Sequence, residues 1–174
     1  MTSRVDVSLH AGPSVGFDQP FEMLAACHER VRRSLDLLLR LQTHVAQHGV
    51  DAQARDAARD VMRYFDVAGP AHHEDEERHV LPRLRDAGQS RLAERLQADH
   101  AEMTRLWGQL RVGLAAWANG GDAALDATVL QRYVDLYTDH LAVEDEHAFV
   151  VARQRTDAAD CAAIGQEMAA RRSR

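Results

Sequence analysis

Cysteine, aromatic residues and excess basic charge are all scarce in this chain of 174 residues. The two cysteines, Cys27 and Cys161, are far apart and form no C-x-x-C pair, so we expect reduced thiols in a cytosolic protein. The 21 Lys and Arg residues are outnumbered by 27 Asp and Glu residues, which gives a formal net charge of −6. A mildly acidic chain without a basic cluster is a poor candidate for binding nucleic acid or an anionic membrane surface.

Long apolar runs and strand-like alternation are also missing. The N-terminus, Met-Thr-Ser-Arg-Val-Asp-Val-Ser, has no apolar core of signal-peptide length, and no apolar run is long enough to span a bilayer. Hydrophobic residues nevertheless make up 45% of the chain and charged residues 28%, and this combination predicts an all-α protein. The length fits one domain with a sizeable core.

The apolar residues recur at helical steps of three, four and seven. Residues 1–17 mix polar residues with glycine and proline and are predicted to form a flexible N-terminal arm, and a single domain should occupy residues 18–172. We predict helices over residues 18–49, 51–85 with a kink or break at Gly69-Pro70, 90–119 and 126–155, and a short last helix capped by Thr156. Long amphipathic helices with short links are typical of an up-down-up-down four-helix bundle.

Histidine is the residue that this chain has in excess, with ten copies. The stretch from His72 to His79 contains three histidines and four acidic residues. His72 and Glu76 are four residues apart, so on a helix they lie one turn apart on the same face. The same spacing recurs later, at His140 and Glu144. It allows one imidazole and one carboxylate to reach the same metal ion.

The first and third predicted helices each carry one histidine, His28 and His100, within an otherwise apolar stripe. Helices two and four of an up-down bundle run parallel, so all four histidines can meet in one layer of the core. A glutamate buried without a partner costs several kcal/mol, and two of them facing neutral imidazoles require a cation. The predicted metal ligands are His28, His72, Glu76, His100, His140 and Glu144.

The ligand types narrow the choice of metal. Imidazole and carboxylate without thiolate suit iron, manganese or zinc. Six protein side chains exceed one tetrahedral zinc site, so two ions that share bridging carboxylates are the simpler arrangement. Redox-active iron is our choice, although the spacing alone does not separate it from manganese or zinc.

A second register competes within the same stretch, because His73 and Glu77 are also four residues apart. Counting seven residues back from His72 reaches Phe65, whereas counting seven back from His73 reaches Asp66. The apolar face therefore favours His72 as the inward histidine, and His73 and Glu77 are predicted to point outward.

A ferritin-like site is the weaker alternative. It would use the E-x-x-H pairs Glu76/His79 and Glu144/His147, together with an inward glutamate from each of the other two helices. The glutamates available there, at positions 29 and 102, lie beside the apolar stripes rather than on them. We predict instead that His79 and His147 form a second polar layer near the site, as hydrogen-bond donors or an access route, the alternative being partial exposure at the rim of the bundle.

The stretch His72-His73-x-x-Glu76-Glu77-x-x-Leu81-Pro82 resembles the H-H-x-x-E-E-x-x-F-P segment of the hemerythrin-like, or HHE cation-binding, domain. The later stretch His140-x-x-x-Glu144, followed by Phe149, resembles its second copy, and the resemblance covers roughly residues 18–172. It implies a four-helix bundle around a non-haem di-iron centre with an oxo or hydroxo bridge. The two glutamates would bridge the iron ions, and the four histidines would cap them.

One position departs from the pattern of oxygen-carrying hemerythrins. Those proteins have a second histidine four residues after the first on the third helix, where this chain has Thr104. The ligand set is more similar to that of bacterial proteins that repair iron centres after nitrosative or oxidative stress. The resemblance therefore implies a protein that reacts with or senses O2, NO or peroxide, or handles iron in a stress response. A metal-binding, storage or sensor module without turnover is the alternative, and a purely structural bundle is the third.

Overall fold

Five helices form within residues 15–173, the part of the chain that the computed structural model describes. Helix α1 is Pro20–His48; α2 occupies residues 52–86, as Ala52–Arg63, Tyr64–Ala68, Gly69–His79 and Leu81–Asp86; α3 is Ser90–Ala118; α4 occupies residues 127–154, as Ala127–Val143, Glu144–Ala148 and Phe149–Gln154; and α5 is Ala158–Arg172. The predicted all-α bundle with a short C-terminal helix is confirmed. Of the predicted N-terminal arm, residues 1–14 lie outside the described residues.

Short polar side chains set several helix ends. Asp51 caps α2, because its carboxylate accepts a hydrogen bond from the backbone N–H of Ala54 at 2.8 Å. Asp157, and not the predicted Thr156, caps α5 in the same way. The Thr156 hydroxyl instead accepts a hydrogen bond from Arg83 Nε at 2.6 Å, which ties the end of α4 to the end of α2.

The predicted kink or break at Gly69-Pro70 takes the form of a π-helical turn, Tyr64–Ala68, inside a helix that continues. The N–H of Gly69 donates to the carbonyl five residues back rather than four. Pro70 has no N–H to donate, and its ring would collide with the carbonyl four residues before it in a regular α-helix, so a wider turn removes the conflict. A second π-helical turn, Glu144–Ala148, lies in α4.

The bundle core consists of two apolar clusters. One is built around residues such as Leu38, Val61, Leu110, Leu114 and Tyr133, and the other around Leu24, Leu84, Leu96, Phe149 and Met168. Helix α2 packs between α1 and α3, while α4 packs against α3 and α1, and α5 lies against α1. No helix among residues 15–173 is long and apolar enough to cross a membrane.

Candidate metal centre

A layer of buried polar side chains separates the two apolar clusters along the helix axes. Each of the four long helices contributes one histidine to it, and α2 and α4 each add a glutamate one turn further on. The structure brings together all six predicted residues, and each is at most 5% exposed: His28, His72, Glu76, His100, His140 and Glu144.

The first half of the layer consists of His28 and His72 with one oxygen from each glutamate. The Nε2 atoms of the two histidines are 3.1 Å apart. Glu76 Oε1 lies 2.8 Å from His72 Nε2, and Glu144 Oε2 lies 3.3 Å from His28 Nε2. These four ligand atoms lie within 4.8 Å of one another, which is the grouping that a single ion requires.

The second half repeats this arrangement with His100 and His140, whose Nε2 atoms are also 3.1 Å apart. Glu76 Oε2 lies 3.4 Å from His100 Nε2, and Glu144 Oε1 lies 3.1 Å from His140 Nε2. Each glutamate therefore directs one oxygen at each histidine pair. The two halves share both carboxylates, as they would if two ions were bridged.

The electrostatics of the layer call for positive charge. The carboxylate oxygens of Glu76 and Glu144 accept no hydrogen bond from any residue between 15 and 173. Burial opposes protonation of the neighbouring histidines, yet the surrounding carboxylates raise the pKa of His28 to about 11, of His72 to about 10 and of His140 to about 9. Two imidazoles and two shared carboxylates in each half are a donor set that suits a divalent transition-metal ion.

Three further carboxylates orient the histidine rings from outside. In each case the imidazole Nδ1–H donates to the carboxylate: His28 to Asp145 at 2.7 Å, His100 to Glu77 at 2.9 Å and His140 to Asp99 at 3.2 Å. Such partners fix the ring orientation and make the opposite nitrogen a better metal ligand. This role is not predicted from the sequence, although each carboxylate is the immediate sequence neighbour of a predicted ligand on its own helix.

The histidines expected to support the site do not contact it. His79 Nε2 lies 2.7 Å from Glu167 Oε2, and the exposed His147 has its Nε2 2.7 Å from Gln89 Oε1. The ferritin-like alternative also lacks its inward glutamates, because Glu102 forms an ion pair with Arg105 and position 29 is exposed. The partial exposure that we offered as the alternative describes His147 best.

The outward position predicted for His73 is wrong. Its half-buried ring stacks on His100, with ring centroids 4.2 Å apart, and its Nε2 lies 3.4 Å from the Tyr137 hydroxyl. Burial lowers the pKa of His73 well below its usual value, and His100 adds to this effect, so His73 is neutral. The seven-residue spacing from Phe65 includes the π-helical turn, which contains about one residue more than an α-turn. This extra residue changes the rotation of the helix, and His73 faces inward as a result.

Thr104, the position where oxygen carriers have an additional histidine, contributes no side chain to the layer. It is exposed, and its hydroxyl donates to the backbone carbonyl of His100 at 2.9 Å. The ring face of His100 is instead covered by His73. A fifth histidine therefore lies beside the site, but it comes from α2 and stacks on the ring of His100.

Helix α5 is fixed to α2 directly beside the site. Asp75, the neighbour of Glu76, is fully buried and accepts hydrogen bonds from the guanidinium groups of Arg171 and Arg172. Glu167, whose pKa the Arg171 guanidinium lowers to about 2, joins α5 to His79 as well. Close packing in the middle of α5 is also required, because any side chain at Gly165 would collide with the Phe17 carbonyl.

A surface groove of about 520 Å³ approaches the His28 side of the layer. Phe21, Ala25 and Val150 are among the residues that line it, together with Phe149 and Asp145. The ring of Phe149 lies 5.2 Å from that of His28, centroid to centroid, and Asp145 is the carboxylate that holds the His28 ring. A small molecule in the groove would therefore be one side chain away from the layer.

A helical bundle with four histidines and two shared carboxylates in its core defines a cation-binding bundle protein. Comparison with known families specifies the class further, because residues 19–152 match the Hemerythrin HHE cation binding domain, and the chain belongs to this family. The chain is also 30% identical over 158 residues to an uncharacterized protein of Haemophilus influenzae (strain ATCC 51907 / DSM 11121 / KW20 / Rd), a match that covers 90% of this chain and 91% of that protein. The predicted resemblance to hemerythrin-like domains is confirmed.

Proposed function

We propose that this protein holds two iron ions in its core and reacts with or senses O2, NO or peroxide, or handles iron in a stress response. The residues that would hold them are His28 and His72 for one ion and His100 and His140 for the other, and both glutamates would be within reach of each ion. The observation that carries the proposal is the pair of buried carboxylates whose four oxygens have no hydrogen-bond partner in the described chain.

Charge and ligand count support two ions rather than one. Glu76 and Glu144 bring two negative charges into a fully buried layer, and the three outer carboxylates add more around it. A single ion would use the Nε2 atoms of one histidine pair and leave the equivalent donor set of the other half without a metal ion. Among the metals that this donor set accepts, iron is the typical cation of the family, while manganese and zinc are the competitors.

When bound, a pair of iron ions supplies one-electron redox chemistry and coordination positions for a small ligand. The protein's own residues prepare the surroundings. Asp145, Glu77 and Asp99 hold three imidazoles in place through Nδ1, and the apolar clusters on both sides exclude water from the layer. The groove beside Phe149 offers a small apolar molecule a route to the His28 side.

A sensor without turnover is the second candidate, and the link between the site and α5 favours it. Asp75 adjoins the ligand Glu76 in sequence and is held by two arginines of α5. A shift of the Glu76 backbone on metal binding or loss would therefore reach the outer surface of α5. Occupancy of the site could in this way change a surface that a partner recognises.

Metal analysis of protein produced with iron tests the proposal. We expect about two iron ions per chain and the near-ultraviolet absorption of a bridged di-iron centre, both lost in His140→Ala. The matched control is His147→Ala, which removes an exposed histidine seven residues further along α4 and should leave the iron content unchanged. Less than one iron ion per chain would overturn the di-iron assignment.

Rapid mixing of the iron-loaded protein with peroxide or NO separates the two candidates. A spectral change within the mixing experiment supports the reactive protein. A spectrum that does not respond, together with a change in the protease sensitivity of α5 between loaded and metal-free protein, supports the sensor.

A further inference from the structure

The four histidines of the layer do not have equivalent outer partners. His28, His100 and His140 each donate from Nδ1 to a carboxylate. The Nδ1 of His72 is fully buried and has no hydrogen-bond partner among residues 15–173. The polar side chain beside this ring is the thiol of Cys27, on α1.

This difference makes the two halves of the layer unequal. The half with His100 and His140 has two outer carboxylates. The half with His28 and His72 has only one outer carboxylate, Asp145. This carboxylate also accepts a hydrogen bond at 2.7 Å from Arg32, whose positive charge partly neutralises it. A carboxylate behind an imidazole raises the basicity of the ligating nitrogen, whereas a neutral thiol is a weak hydrogen-bond acceptor.

Access does not separate the two halves. One groove is lined by Asp145, the outer carboxylate of His28, and a second groove of similar size is lined by Asp99, the outer carboxylate of His140. The His73 ring also covers one face of His100. The weaker hydrogen-bond support therefore favours exchange of the ion at the His28 side.

We propose that the ion held by His28 and His72 is the exchangeable member of the pair, and that Cys27 makes it so by standing where the other three histidines have a carboxylate. The proposal rests on the proposed function, in which the six residues hold two ions. It assigns this half the role of accepting and releasing a divalent first-row metal ion while the other ion stays bound.

Iron release to a chromogenic ferrous chelator under anaerobic conditions tests this assignment. Wild-type protein loaded with two ferrous ions should release them in two phases of equal amplitude. Cys27→Asp supplies the missing carboxylate and should slow the fast phase about 10-fold while leaving the slow phase unchanged. Cys27→Ala, which supplies no acceptor at this position, and Cys161→Ser, at the other cysteine, are the controls and should release both ions as the wild type does.

A second variant tests the opposite half independently of how well Cys27→Asp folds. Glu77→Gln weakens the partner of His100 and should accelerate the slow phase about 10-fold, leaving the fast phase as it was. If both ions are released in one phase, or if either variant affects both phases equally, the assignment of the exchangeable ion is wrong, whereas the proposed function still stands. Binding of fewer than two ions by the wild type overturns the proposed function itself, so the two failures are distinguishable.

Discussion

Removal of the two arginines that hold Asp75 should destabilise the whole bundle, because a fully buried carboxylate would lose its counter-charges. The perturbation is the double variant Arg171→Ala/Arg172→Ala. Asp75 is 0% exposed, while the side chains of Arg171 and Arg172 are 17% and 32% exposed. The carboxylate is therefore the more deeply buried partner, and its burial without a counter-charge determines the loss in the free energy of unfolding.

The magnitude follows from these exposures. Removing one side of a buried ion pair costs about 3–5 kcal/mol, since the remaining charge stays buried without compensation. Solvent reaches both arginines and can reach Asp75 once α5 loosens, so we expect the lower end of this range, about 3 kcal/mol. For a protein of this size, that loss corresponds to a melting temperature lower by roughly 6–12 °C.

Urea unfolding followed by circular dichroism gives the free energy of unfolding. Each variant is first treated with a chelator, so that the metal content is the same in all of them. The control is Arg153→Ala, which removes an ion pair with Glu22 that is 2.6 Å long but has an arginine 66% exposed. An exposed pair of this kind contributes less than about 1 kcal/mol.

Asp75→Asn provides the decisive comparison, because it removes the buried charge itself. Introduced into the double arginine variant, it should restore part of the lost stability, and the double-mutant cycle should show a coupling free energy of at least about 1 kcal/mol. If the double arginine variant is as stable as Arg153→Ala, or if its loss of stability simply adds to that of Asp75→Asn, the arginines do not compensate the buried charge of Asp75.

Three further predictions concern the core. His140→Ala should lower iron content and melting temperature together, because metal binding to the folded state stabilises it; a variant that keeps its iron would contradict this ligand assignment. In metal-free protein the pKa values of His28, His72 and His140 are raised from an ordinary 6.5 to about 11, 10 and 9. The stability that these protonated histidines contribute is therefore complete below about pH 6.5 and is lost as the pH rises through 9 to 11. Urea unfolding of metal-free protein at pH 6, 8 and 10 should show this fall, and a flat profile would be inconsistent with it. Tyr137→Phe removes a hydroxyl that lies 3.4 Å from His73 and should cost about 1 kcal/mol at unchanged iron content, measured by the same unfolding assay.

The helices and the inward histidines follow from apolar periodicity, which depends only on residues within one helix. The stripe around His28 and that around His100 are regular, and both histidines are buried as the pattern requires. The spacing of His72 and Glu76 likewise fixes their common face. Local periodicity was therefore sufficient to gather the six residues into one layer.

Contacts between helices were not accessible in this way. Asp145 and His28 are 117 residues apart in the chain, and no residue pattern within α4 predicts the hydrogen bond between them. Cys27 lies beside His72 for the same reason, through the packing of α1 on α2. The position of His73 was missed because a π-helical turn interrupts the regular count, and only the proline that follows it gives a local indication.

The π-helical turn Tyr64–Ala68 makes the site depend on a residue count as well as on residue identity. Val67, in the middle of this turn, is 66% exposed, so its side chain has little to do with packing. Its presence in the chain nevertheless sets the rotation of everything that follows. Deleting one residue here would rotate His72 and Glu76 by about 100° away from their partners, although neither of them had been changed, and would bring Pro70 into conflict with the carbonyl four residues before it. The wide turn thus sets the rotation of the rest of α2, and we expect the helix to tolerate a substitution at Val67 better than a deletion.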